Sequence, residues 1–282
     1  TNNINASQRQ EDIEPCRLAS KALIYSVPFA SQNFKVENER NYIMERLFLA
    51  CTHQHEEIVE NALHCLREIT TQEYECMQFY FNKICEVTAN LAKHPSSRVG
   101  AQAYEYWTTL VEDETERSTK GVKCIGTFTL AKKTNQLIIE GLCIINFDED
   151  EDDEDWGHAL SAACCLQKLA IYIKNDVMDP VINFASTHIV SNNWKERYAA
   201  LIALGSITDG PERNKFMEVI MSALPGLLQM FKEPNNKIRE ALSWVLHRIC
   251  EHHPHLVANP QISGEFISRL MQGLSDKPRI SN

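Results

Sequence analysis

The chain is 282 residues long, 44% hydrophobic and 23% charged, with a formal net charge of −10. Those proportions suit a soluble globular protein, and no apolar stretch approaches the roughly 18 residues that a bilayer crossing needs. Residues 148–155 carry −8 of the charge and leave −2 for everything else, so the acidity is local, and nothing offers the basic face that nucleic-acid phosphates require.

The N-terminus, TNNINASQRQEDIEP, lacks the pattern of a signal peptide. Beginning without methionine and stopping at DKPRISN, the chain reads as part of something longer. Helical spacing follows almost at once. EEIVENALHCLREI (56–69) and SSRVGAQAYEYWTTL (96–110) read as weaker versions of a helical repeat that is clearer further along the chain. Trp107 falls on the apolar side of the second stretch and reads as core. VKCIGTF, Val122 to Phe128, is the nearest approach to a strand and too isolated to build a sheet.

At 147–156 the chain reads FDEDEDDEDW: eight consecutive carboxylates ending on Trp156. Such a run repels itself and is expected to form a mobile loop. A solvated spacer followed by a core tryptophan is one reading. A docking surface for a basic partner is the other, since a polybasic segment relieves the repulsion and Trp156 offers a π-face to lysine or arginine.

Beyond the run, Ala159, Ala162, Ala163, Leu166, Leu169, Ala170 and Ile173 form one stripe, and Met217, Ile220, Leu224, Leu227, Leu228 and Phe231 another, with a bend expected at Pro225. Between and after them stand two matching stretches, NNWKERYAALIALGSI (192–207) and NNKIREALSWVLHRI (235–249). Each opens on asparagines, follows with an arginine at 197 or 239, and ends on isoleucine at 207 or 249. Both pairs are 42 residues apart. A third copy starts at DKPRISN, where Ile280 stands 42 after Ile238. A period near 40 containing two helices predicts a stacked solenoid, because neither helix pair buries its apolar face alone.

Ten cysteines are present, with no C-x-x-C pair. Cys65, Cys85, Cys164, Cys165 and Cys250 sit at core-like helical positions, as free cysteine does when it packs as a small apolar residue. That usage points to a reducing compartment, cytosol or nucleus. The histidines of HQHEE (53–57) and CEHHPH (250–255) lack the i, i+4 pair of a helical zinc site, and the acidic run lacks the glycine and spacing of a calcium loop. No cofactor, metal site or catalytic set is expected, and so no enzyme.

Trp244 stands beside the stripe Ile238, Leu242, Val245 and Ile249, turned roughly 100° from Val245. It is either exposed, as suits cation–π capture, or partly buried between repeats. Trp194 stands before Lys195 and Arg197, in a position that suits packing between repeats.

The acidic run with Trp156, together with AACCL, WKERYAALIALGSITDGPE, SWVLHRICE and GLSDKPRISN, resembles the importin-β (karyopherin-β) family of nuclear transport receptors. FKVENERNYIM and YEYWTTL extend the likeness less tightly into the N-terminal half. The resemblance implies an all-α HEAT-repeat α-α superhelical solenoid of about six to seven helix pairs with incomplete terminal repeats, a middle segment of such a receptor. It would form one continuous array over 1–282, with the acidic loop at 148–156.

It further implies that Glu105, Glu112, Asp152, Asp153, Asp155, Trp156 and Trp244 bind importin-α or basic cargo on a concave face. Glu39, Tyr42, Ile43 and Tyr80 would take phenylalanines of FG nucleoporins on the convex face, and Asp150, Glu151, Asp152 and Asp153 would contact the GTPase Ran in its GTP form. The polar TNNINAS opposite the first phenylalanine groove offers Ile4 as its main apolar residue. Cytoplasm, nucleus and the nuclear pore are the implied locations, without membrane insertion. The alternative is a HEAT scaffold of another kind, a phosphatase regulatory subunit or an assembly platform.

Overall fold

The computed structural model describes residues 2–124, 135–145, 157–257, 260–274 and 276, with side chains of the first helix from Ile13 onward. Helices make up nearly all of it, and no strand occurs among the described residues. The chain forms two compact units, residues 1–127 and 128–282.

In the first unit, α1 (Asn2–Ser26) leads through a short 3-10 turn to α2 (Ser31–Lys35) and α3 (Glu37–Ala50), followed by α4 (Glu56–Gln72), α5 (Tyr74–Met77), α6 (Phe81–Leu91) and α7 (Ser97–Thr119). Short turns close α3 on α4 and α6 on α7, while α1 packs on α4 and α4 on α7. α4 therefore packs against its own partner α3 and against α1 and α7 on either side. Such a helix needs apolar residues over more than one stripe. α4 has them: Ile58, Val59, Ala62, Leu63, Cys65, Leu66 and Ile69 are all buried. Burial pushes the Cys65 thiol up to about 12, as it does Cys51, so both stay protonated and serve as packing. All ten cysteines are free.

The second unit repeats the scheme with α8 (residues 135–141), α9 (His158–Ile173), α10 (Met178–His188), α11 (Trp194–Ser206), α12 (Arg213–Gln229), α13 (Asn236–His252), α14 (Pro254–Val257) and α15 (Pro260–Gly273). α9 packs on α11 and α11 on α13. The expected stripe on α9 is wholly buried, as are Ile238, Leu242, Val245 and Ile249 of α13. On α12 the buried stripe starts at Phe216 rather than Met217. The helix runs on through Pro225, which lies on its exposed side.

The 42-residue step has a physical basis in two turns. Asn193 and Asn235 are the N-caps of α11 and α13, and each side chain accepts from a backbone N–H two residues on, Lys195 at 3.0 Å and Lys237 at 2.8 Å. These bonds satisfy amides that a helix start leaves orphaned. Four residues after each cap an arginine reaches back to the carbonyl six residues before it, Arg197 to Ser191 at 2.7 Å and Arg239 to Glu233 at 2.6 Å. The same guanidinium reaches forward to the next turn: Arg197 to Glu233 at 3.2 Å, and Arg239 to both oxygens of Asp276 at 2.6 and 3.0 Å. One cap and one arginine thus close a turn and tie it to the following one. The third copy's Ile280 lies outside the described residues.

Gly210, in the turn after α11, has φ +112°, and a Cβ there would stand 2.2 Å from the Ala170 carbonyl oxygen. Only glycine combines that backbone with so close an approach to the end of α9.

Among the described residues α3 pairs with α4, α6 with α7 and α10 with α11, with α1 and α15 as flanking helices.

Candidate binding surfaces

The residues expected to bind cargo separate into three groups. Asp150, Glu151, Asp152, Asp153, Asp155 and Trp156 lie outside the described residues. The edges of that stretch are fixed: the Lys195 ammonium donates to the Ile145 carbonyl at 3.0 Å, and on the other side His158, the first residue of α9, is buried.

Glu105 and Glu112 share α7, as their seven-residue spacing implies, but differ in what surrounds them. Glu105 forms an ion pair with Arg67 of α4 and accepts from Gln102 at 3.2 Å. Part of its charge is therefore already balanced within the unit. Glu112 is exposed. Trp244 forms the third group. It is half-buried, and its indole lies against α11, where a Cβ on Gly205 would fall 2.2 Å from Cζ3, 2.8 Å from Cε3 and 3.0 Å from Cη2. The structure thus favours partial burial between repeats, with the rest of the ring exposed. Trp194 is half-buried edge-on to Tyr198, with the Lys195 ammonium 5.6 Å above its ring. Trp107 is core, as expected, packed edge-on to Phe81 and Tyr106.

On the first helices of the first unit, Glu39 is exposed and accepts from Asn33 at 2.7 Å. Tyr42 is exposed beneath the Arg46 guanidinium, 5.1 Å from its ring centre. Ile43 lines a cleft of about 350 Å³ with Leu23, Val27, Phe29, Phe34 and Ile69. Tyr80 bridges α3 and α6: its ring stands 6.5 Å from that of Phe48, and its hydroxyl is bonded to Arg40 and Asn41. Ile43 lies in the cleft, and Tyr80, which the resemblance assigns to a second groove, lies at the α3–α6 junction. Ile4 has its side chain outside the described residues.

Sequence reasoning passed over Phe79, 67% exposed beside Tyr80 and capped by Arg40 at 5.2 Å, and Phe29, 86% exposed at the cleft. An aromatic that breaks the helical stripe just before a helix start was the available signal. It also passed over a cleft of about 540 Å³ between α10 and α12, lined by Ile182, Ile189, Val219, Leu227 and Met230 without a charged residue.

Two of the clustered histidines make contacts within the fold. His253 caps α13, bonds to the Thr208 carbonyl at 2.7 Å and stacks on Phe216 at 4.8 Å. Burial holds its pKa below the ordinary histidine value. His53 accepts from the backbone of His55 in the turn before α4. No group of three or more His, Cys, Asp or Glu comes together as metal ligands among the described residues, and no described helix is long and apolar enough to cross a membrane.

Helix pairs repeated at a period near 40, with second helices stacked on one another and arginines linking successive turns, define a HEAT-repeat protein. No protein-family model matches the chain. It is, however, 30% identical to importin subunit beta-1 of Schizosaccharomyces pombe over 98% of its own length and 34% of that protein's. A solved structure of Kap95p, the yeast importin-β, in a study of its binding to RanGDP, superposes with a TM-score of 0.89 at 27% identity, covering 94% of this chain and 32% of that one. The complex of Kap95 with Nup1 gives 0.85 at 27% identity over 94% of this chain and 31% of that one. The chain is therefore an importin-β-like HEAT-repeat segment. It spans about a third of the length of the curated relatives it matches.

Proposed function

We propose that the chain acts as part of a nuclear transport receptor of the importin-β kind, working as one continuous array over 1–282. In this reading it binds lysine- and arginine-rich import signals, directly or through the N-terminal segment of importin-α, by way of Glu105, Glu112, Trp244 and the stretch holding Asp152, Asp153, Asp155 and Trp156. FG nucleoporins dock through Glu39, Tyr42, Ile43 and Tyr80. Ran in its GTP form, touching Asp150, Glu151, Asp152 and Asp153, promotes release. The protein moves between cytoplasm and nucleus through the pore, and no catalytic step or cofactor is assigned to it.

The observation that carries this reading is the similarity to importin-β across 94–98% of the chain, including structures studied with Ran and with Nup1. The physical chemistry agrees with it. Eight adjacent carboxylates attract cationic peptides over a long range, and a half-exposed indole accepts a cation at its face. Shallow apolar clefts that each hold one phenylalanine bind weakly alone and gain from multiplicity.

Two measurements test the proposal. Replacing Asp152, Asp153, Asp155 and Trp156 together by alanine should weaken a polybasic import peptide severalfold in titration calorimetry at modest salt; unchanged affinity removes the acidic stretch from the site. Immobilised phenylalanine–glycine peptides should retain the chain. A phosphatase scaffold would ignore them, so failure to bind turns the reading toward a HEAT scaffold of another kind.

A further inference from the structure

Gly205 is the penultimate residue of α11, at a position where alanine would favour the helix. Its φ is not in the left-handed region, so the backbone does not demand glycine. What demands it is Trp244 of α13, whose benzo edge occupies the space a Cβ would take, 2.2 Å from Cζ3. Gly226 in α12 makes the contrast: a Cβ there meets nothing within 4 Å. At Gly205 the obstruction is the far end of one side chain rather than backbone. Adding a methyl group therefore displaces the indole before it displaces the helix.

We infer that Gly205 is a positioning residue for cationic-peptide binding: it seats the benzo edge of Trp244 on α11 and fixes where the indole offers itself to a lysine or arginine. This rests on the reading that Trp244 binds basic segments. A ring held by one edge loses little further rotational freedom on binding, the general advantage of a preorganised contact. With any side chain at 205 the indole must find another rotamer, and the aromatic surface is no longer where the peptide meets it.

The test uses the whole chain and a synthetic lysine- and arginine-rich peptide, with affinity from titration calorimetry and folding from thermal unfolding. Trp244→Ala should weaken the peptide by about five-fold, the scale of one cation–π contact. Gly205→Ala should weaken it equally and shift tryptophan emission. The double variant should bind like Trp244→Ala alone, with no emission change from the added methyl group, because the ring it would have displaced is gone. Equal losses in both single variants and no further loss in the double support the inference. If Trp244→Ala binds like the unaltered chain, the basic-peptide reading at this tryptophan fails and the inference with it. If Trp244→Ala weakens binding but Gly205→Ala does not, the reading stands and Gly205 is packing only.

Discussion

The two units solve the same stacking problem with different residues. In the first, α7 buries Tyr104, Tyr106 and Trp107, and polar links between second helices reinforce the large rings. Arg17 and Lys21 of α1 hold Glu57 of α4 at 2.8 and 2.7 Å, Arg98 of α7 holds Glu60 at 2.9 Å, and Arg67 holds Glu105. In the second unit the equivalent helices bury Ala162, Ala163 and Ala170 on α9 and Ala199, Ala200 and Ala203 on α11. Small residues let helix surfaces approach closely, and the links move into the turns, where an asparagine cap and an arginine recur. A HEAT pair thus tolerates large rings with cross-helix ion pairs or small residues with a repeated turn. The second solution leaves the clearer trace in sequence, because the same residue types return at the same spacing.

The sharpest way to break the comparison is Trp107→Ala. Removing a ring that is 1% exposed and packed against Phe81 and Tyr106 should cost about 3–5 kcal/mol. Denaturant unfolding followed by hydrogen exchange should place the loss in α6 and α7. Loss of protection in α11 and α13 instead would mean that the units do not hold their cores separately.

Next in size is Gly210→Ala, which forces a side chain onto φ +112° against the Ala170 carbonyl. It should cost about 1–3 kcal/mol, with exchange rising at the C-terminal end of α9.

A smaller contrast compares two arginines. Arg239→Ala removes a two-oxygen bond to Asp276 and a carbonyl bond within the turn, and should cost about 1.5 kcal/mol. Arg98→Ala removes an ion pair whose arginine is 76% exposed, and should stay within about 0.5 kcal/mol. Equal losses in urea melts would contradict the assignment of stability to turns in one unit and to rings in the other.

Acid should separate the units more gently. Burial lowers the His253 pKa, so its stabilising effect is complete above about 6.5 and declines as pH falls below that. Lys21 and Arg17 hold Glu57 near 2, so its effect persists until pH drops from 4.5 toward 2. Exchange protection around α12 and α13 should therefore weaken at a higher pH than protection between α1 and α4. His253→Asn should erase the first change and Glu57→Gln the second.

These contrasts mark what the residues declare beforehand. Helical stripes were legible wherever burial is decided by spacing along one helix, as on α9 and α13, and Trp107 was recognisable as core from its neighbours. The candidate sites were legible only in part. Glu105 and Glu112 look alike at seven residues' spacing, yet Arg67, 38 residues before Glu105, distinguishes them. Trp244 read as packed between repeats or exposed, with packing favoured by the residues alone, because its surroundings are settled by Gly205 on another helix. Contacts between repeats leave no mark in a period of 3.6, so charge balance and the seating of single rings become visible only when the helices are stacked.

The bond from Lys195 to the Ile145 carbonyl carries a consequence for how such chains diverge. It anchors one edge of the carboxylate-rich stretch to α11, while the buried His158 anchors the other. Because both contacts belong to residues outside the carboxylates themselves, variants with aspartates added or removed there should keep the thermal unfolding of the parent chain, so that charge can vary without cost to α9 and α11.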